Sequence, residues 1–264
     1  MKVCKESLDR ISREVFDVAG FRQVDPCGLV YELTEHTQRQ LDIELGALLT
    51  AMISWGNRKC IRRAARRMLA DEMQWHPADF ILSGRFVHSY GDGRDGNCCV
   101  YRTLNRETFI AVCRNLHDAL VGASSASHDA GLTPFGLPSS DLTIERCFSG
   151  LSMKEAIRRV TELLSPARIG TMDRSACKRV CMFMRWMVRQ QAPDFGLWKS
   201  RSASELYAVL DVHVCTLAAP LMTRRQASWA ACEELTSVFR QWDPVDPLKY
   251  DIALMTLADH PEDE

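Results

Sequence analysis

Apolar positions recur every three to four residues along the chain, and no segment sustains the apolar–polar alternation of a half-buried strand. The pattern predicts helices over residues 44–53, 58–69, 106–121, 152–164, 175–190, 202–209, 212–221, 226–242 and 247–257. Trp55, Gly56 and Asn57 interrupt the first two. Gly56 suits a helix C-terminal turn and Asn57 suits the next N-cap, so this stretch reads as helix, tight turn, helix. Pro166, Pro193, Pro220, Pro244 and Pro247 stand at expected boundaries. Residues 83–97 read as a loop whose Asp92, Asp95 and Asn97 lack calcium-loop spacing, so no metal is assigned there. Residues 122–141 are rich in Gly, Ser and Pro and are expected to form a flexible connection. The architecture expected is all-α: one two-lobed unit, with lobes of residues 28–165 and of 1–27 plus 166–264 around a cleft.

With 264 residues, 46% hydrophobic and 25% charged, the composition excludes a disordered, collagenous or disulfide-dense chain. No apolar run approaches the roughly 20 residues of a membrane-spanning helix, and the N-terminus is charged where a signal peptide turns apolar. A cytoplasmic protein without membrane contact is therefore expected. The 11 cysteines are scattered, without a CxxC pair, as suits reduced buried thiols. No four-cysteine cluster near the C-terminus would hold an iron–sulfur centre, and no cofactor is expected.

Charge changes the picture further. The formal net charge is −1, yet Arg58, Lys59, Arg62, Arg63, Arg66 and Arg67 crowd one stretch, and Arg174, Lys178, Arg179, Arg185 and Arg189 a second. Acidic residues balance them elsewhere and end the chain. Each basic stretch is either a site for an anionic partner or a solvated arginine-rich helix face.

In the helix beginning near Ser175, Cys177, Val180, Cys181, Met184, Met187 and Val188 form one buried stripe. Lys178 lies in its first turn beside Arg179, where the helix N-terminus and a neighbouring cation favour the free amine a nucleophile needs. It is equally a residue that snorkels at a surface. Downstream, Asp211 and His213 stand alone in the apolar run LYAVLDVHVCTLAAPLM, and Asp211 is either an N-cap, a functional carboxylate or both.

These segments resemble the helix-hairpin-helix DNA glycosylases. DVHV resembles the segment holding their catalytic aspartate, ISWGNRKCIRRAARRML their helix, wedge loop and helix, and KRVCMFMRWMVR the helix that opens with their catalytic lysine, all in the superfamily's order. The chain also resembles an uncharacterised bacterial family marked by WGNR, CKR with MFxRWMVR, DFGLW, LDxHV and DPxKYD. The superfamily's Gly-rich hairpin has a counterpart in residues 169–178 with the single glycine Gly170, so a phosphate grip would rest on side chains such as Arg174. A long insertion, including DFGLW, separates lysine from aspartate, in which the chain resembles the archaeal branch that excises 8-oxoguanine.

The resemblance implies a base-excision N-glycosylase of duplex DNA, with Lys178 as nucleophile on the sugar C1′ and Asp211 stabilising the oxocarbenium charge. His213 would help position the site, while Trp55 and Asn57 would fill the void left by a flipped base. Arg58, Arg62, Arg66, Arg174 and Arg179 would meet phosphates. Asp251 would read N1–H and N2–H of a guanine-like lesion, or make a structural ion pair. Trp186, Trp198 or Phe195 would stack on the base, or belong to the core. The alternative function is a glycosylase scaffold that binds nucleic acid without chemistry.

Overall fold

The computed structural model describes residues 3–14, 16–91, 99–122 and 142–259. The expected connection lies outside them from residue 123 to 141, as do Asp92, Asp95, Asn97, Cys98 and the acidic residues after 259. Among the described residues the chain is mostly helical, with one two-stranded hairpin. No described helix is long and apolar enough to cross a membrane.

The chain divides into two units: Met1–Val18, Met153–Thr161 and Gly170–Glu264 form the first, and Ala19–Ser152 with Glu162–Ile169 the second. The helices in chain order are α1 (Lys5–Arg13), α2 (Val18–Val24), α3 (Cys27–His36), α4 (Gln40–Ile53), α5 (Arg58–Arg66), α6 (Pro77–Leu82), α7 (Arg106–His117), α8 (Ile144–Cys147), α9 (Met153–Leu163), α10 (Lys178–Val188), α11 (Val212–Leu217), α12 (Trp229–Trp242) and α13 (Lys249–Asp259). Strands β1 (Cys99–Tyr101) and β2 (Leu104–Asn105) form the antiparallel hairpin.

The second unit is built on α4, which is buried from Leu41 to its end. A helix buried on every side must be apolar or carry polar groups with built-in partners, and Asp42 and Glu44 do have them. Asp42 accepts Ala78 N–H at 2.7 Å at the start of α6 and the Thr37 hydroxyl at 2.9 Å. Glu44 accepts the backbone N–H groups of Ile144 and Glu145 where α8 begins. Each carboxylate thus caps another helix and meets its positive end. Residues 19–27, expected with the C-terminal lobe, belong to this second unit instead. Arg62 on α5 donates to the carbonyls of Arg22 (2.9 Å) and Asp25 (2.6 Å) at the end of α2, and the Arg22 guanidinium lies 3.5 Å from the Tyr31 ring centroid.

The first unit is built around α10. Its predicted stripe of Cys177, Val180, Cys181, Met184, Met187 and Val188 is buried throughout. Tyr250 on α13 donates to Asp9 on α1 at 2.7 Å. One predicted helix does not form: residues 202–209 make a single turn at Ala203–Glu205, capped by Ser202, and then run extended. Arg240 takes the carbonyls of Ser204, Glu205 and Leu206 at 3.0 Å, which denies them to a helix ladder. The extended run is then pinned in the core. Ala208 N–H donates to Thr236 Oγ1 at 3.0 Å and Val209 N–H to Asp251 Oδ1 at 2.8 Å.

Candidate functional site

Lys178 is the first residue of α10, and its N-cap, Cys177, is in the left-handed region at φ 50°. A non-glycine residue held there costs of order 1–2 kcal/mol, so its surroundings must fix it. They do so through the turn that precedes it. Gly170, at φ +84°, opens that turn, and a Cβ there would come within 2.7 Å of Ser175 Oγ. Thr171 O accepts Arg174 N–H, Ser175 N–H and the Ser175 hydroxyl, while Ser175 Oγ accepts Cys177 N–H at 3.1 Å. The Cys177 side chain is buried beneath, and burial pushes its thiol up. One glycine and one serine therefore shape the entry to the lysine.

Asp211 is the N-cap of α11 and its Oδ1 accepts Val214 N–H at 2.9 Å, so the capping role holds. The other oxygen, Oδ2, lies 2.8 Å from Lys178 Nζ. Both side chains are partly exposed, 37% for the lysine and 26% for the aspartate, so the pair is in contact with solvent. Burial would raise the Asp211 carboxyl. The charge and hydrogen bond of Lys178, the Val214 N–H and the nearby His213 outweigh it and hold the carboxyl below its ordinary range. His213 itself is exposed one position into α11. A lysine held against an ionised carboxylate can attack an electrophilic carbon once it has given up a proton, while the carboxylate relays that proton and stabilises positive charge.

The residues expected to read the base are elsewhere engaged. Asp251 is buried, with Oδ2 2.7 Å from Arg185 Nη1 and Oδ1 on Val209 N–H, so both of its oxygens are committed to the protein. That corrects the expectation of a base-reading carboxylate in favour of the ion pair. Trp186 and Trp198 are fully buried, Trp198 edge-on to Phe183 at 5.6 Å, and neither presents a stacking face. Phe195 follows the same loop, where the N–H groups of Phe195, Gly196 and Trp198 donate to the carbonyls of Trp186 and Met187 and cap the end of α10.

The second basic stretch is also corrected in part. Arg185 and Arg189 are buried in an ion network: Arg185 Nε meets Asp194 at 3.1 Å, and Arg189 meets Asp194 at 3.3 Å and Asp246 at 3.0 Å. Burial pushes the Asp194 carboxyl up against the pull of both guanidinia. Arg179 is half-buried, which lowers its guanidinium to about 10, and Arg174 is exposed on the turn before Lys178.

In the second unit, Trp55 is half-buried and Gly56 and Asn57 are exposed at the turn between α4 and α5, where Asn57 caps α5 through Cys60 N–H at 3.2 Å. Gly56 has φ +95°, which favours glycine, and a Cβ there would displace the Arg102 guanidinium, whose Nη1 would lie 2.3 Å away. Arg102 lies 4.2 Å from the Trp55 ring centroid, and Tyr101 packs edge-on to the same ring and donates to Trp55 O at 2.6 Å. On α5, Arg58, Lys59, Arg63 and Arg66 are exposed, Arg66 paired with Glu32, whereas Arg62 is committed to α2.

Sequence reasoning missed Tyr101 and Arg102, which lie far along the chain from Trp55 in a hairpin too short to leave a periodic signal. It also missed that Arg185 and Arg189, set into an apolar helix, demand buried acidic partners; DFGLW and DPxKYD supply them. Among the described residues no group of His, Cys, Asp and Glu is arranged to hold a metal ion. The family model described as "Protein of unknown function (DUF2400)" matches residues 25–259. No curated protein and no solved structure matches the chain.

Proposed function

The chain belongs to the DUF2400 family, and we propose that it is a DNA N-glycosylase with lyase activity, using Lys178 as nucleophile and Asp211 as its charge partner. The observation that carries this reading is the 2.8 Å contact between a half-exposed lysine at the head of a helix and an N-capping aspartate, in the order that the glycosylase resemblance implies.

In this reading Asp211 accepts a proton from the paired Lys178 ammonium, and the free amine attacks C1′ of a damaged nucleotide. The glycosidic bond breaks with its electron pair leaving on the base, and the proton shed by the amine passes through Asp211 to that base. The ionised Asp211 stabilises the sugar cation as it develops. Ring opening gives an imine between Nζ and C1′, and loss of a C2′ proton then expels the 3′ phosphate. Within the second unit, the Trp55 ring with Arg102 against it offers the duplex an aromatic contact. Arg58, Lys59 and Arg63 attract the phosphate backbone. With Asp251 committed inside the protein, preference for an 8-oxoguanine-like lesion rests on the resemblance alone.

The test is base release and strand scission on duplexes carrying 8-oxoguanine, uracil or an abasic site. Loss of both products in Lys178→Gln and Asp211→Asn supports the reading. Salt-dependent duplex binding with no product from any substrate would favour the non-catalytic scaffold.

A further inference from the structure

We infer that Asp251 is a positioning residue that sets Asp211 against Lys178, by joining the helix that carries the lysine to the loop that carries the aspartate. This inference deepens the proposed function and rests on it for its catalytic consequence, but not for its structural one.

The two residues of the pair reach the site from separate elements. Lys178 opens α10, and Arg185 lies seven residues along the same helix, two turns away and nearly in line with it. Asp211 ends the extended run whose Val209 N–H is two residues before it. Asp251, on α13, spans the two: one oxygen takes Arg185 at 2.7 Å and the other takes Val209 N–H at 2.8 Å.

Arg185 is itself fixed. Asp194 holds its Nε at 3.1 Å and shares its other oxygen with Arg189, which grips Asp246 three residues before α13 begins. The ring of contacts runs from α10 through the 194 loop to Asp246, along α13 to Asp251, and back to α10 and the 209 loop. It is all but buried, with Asp194 and Asp251 at 0% and 4% side-chain exposure.

Such a cluster is a weak device for stability, because desolvating five charges offsets most of their attraction. Its value lies in geometry. A carboxylate with both oxygens engaged permits one relative placement of helix and loop, and a 2.8 Å contact between two half-exposed side chains needs that placement defined. The motifs around Arg185, Asp194, Asp211 and Asp251 thereby act on a single contact.

Asp251→Asn tests it, since a carboxamide can accept from Arg185 or from Val209 N–H but meets one of them with its own N–H groups. Arg185→Lys is the second variant, breaking the link from the other side should the first not fold. Leu235→Ala, in the α12 core, is a control that lowers stability elsewhere. The readout is the titration of the Asp211 carboxyl by carbon-detected NMR on the full chain. It should move up toward the ordinary aspartate range in Asp251→Asn and Arg185→Lys and stay unchanged in Leu235→Ala.

The second readout is the rate of imine capture on an abasic duplex, expected to fall about 100-fold in Asp251→Asn with duplex affinity unchanged. An Asp211 titration unmoved in either folded variant would overturn the inference. If wild type captures no imine, the proposed function fails while the NMR arm still decides the positioning role.

Discussion

Lys178 Nζ and Asp211 Oδ2 lie 2.8 Å apart, and the same aspartate caps α11 through its other oxygen. The two roles separate by substitution. Asparagine caps a helix about as well as aspartate, so near neutral pH Asp211→Asn should cost only the partly exposed ion pair, no more than about 1 kcal/mol. Asp211→Ala should cost about 1 kcal/mol more by losing the cap. Thermal melts of the two variants, read beside product formation, distinguish the capping role from the chemical one.

The lowered Asp211 carboxyl predicts a pH dependence with a definite sign. A carboxyl below its unfolded value of 3.8 contributes stability that is present in full above that value and lost as pH falls through the lower folded value. Asp243, held down to about 2 by Lys249 and the N–H groups of Asp246 and Val245, behaves likewise between about pH 4 and pH 2. Melting temperature followed downward from pH 6 should therefore fall less steeply in Asp211→Asn and in Asp243→Asn than in wild type. Parallel curves would contradict the folded-state pairing of both.

Gly170 and Gly84 both have positive φ, but only Gly170 faces a neighbour, with Ser175 Oγ 2.7 Å from where a Cβ would sit. Alanine at Gly84 should cost about 1 kcal/mol from backbone strain alone. Alanine at Gly170 should cost more and also disturb Lys178, because Ser175 holds Cys177 N–H. Urea denaturation of the two variants gives the comparison.

In the second unit Arg62 and Arg102 predict opposite phenotypes. Arg62→Ala removes two hydrogen bonds to the carbonyls that end α2 and should lower stability more than nucleic-acid affinity. Arg102→Ala uncovers the Trp55 ring and should weaken duplex binding with little change in melting temperature. Lys59→Ala and Arg63→Ala should each reduce the salt slope of binding by about 1. Affinity measured at several salt concentrations checks all four.

What the sequence revealed follows from the range of each signal. The buried stripe of α10 was legible because Val180, Met184 and Met187 repeat at helical spacing, and the Asn57 and Asp211 caps were legible because capping is local. Arg185 and Arg189 were misread as a basic face, since nothing nearby announces that Asp194, Asp246 and Asp251 converge on them. The run at 206–209 was misread as helix because a buried strand-like segment and a buried helix share an apolar composition. Its fate is decided by Arg240, which removes the carbonyls a helix would need. Trp55 stood out at its turn, but its partner Arg102 lies in a separate hairpin and carries no local mark.

The central claim is that the Lys178 amine forms a covalent bond with a damaged nucleotide, and borohydride reduction of the imine tests it most directly. Wild type is incubated with duplexes carrying 8-oxoguanine, uracil or an abasic site, reduced, digested and mapped by mass spectrometry. The account predicts a reduced sugar adduct on the peptide containing Lys178, absent in Lys178→Gln. An adduct on another residue, or none on any duplex that the protein binds, would contradict it.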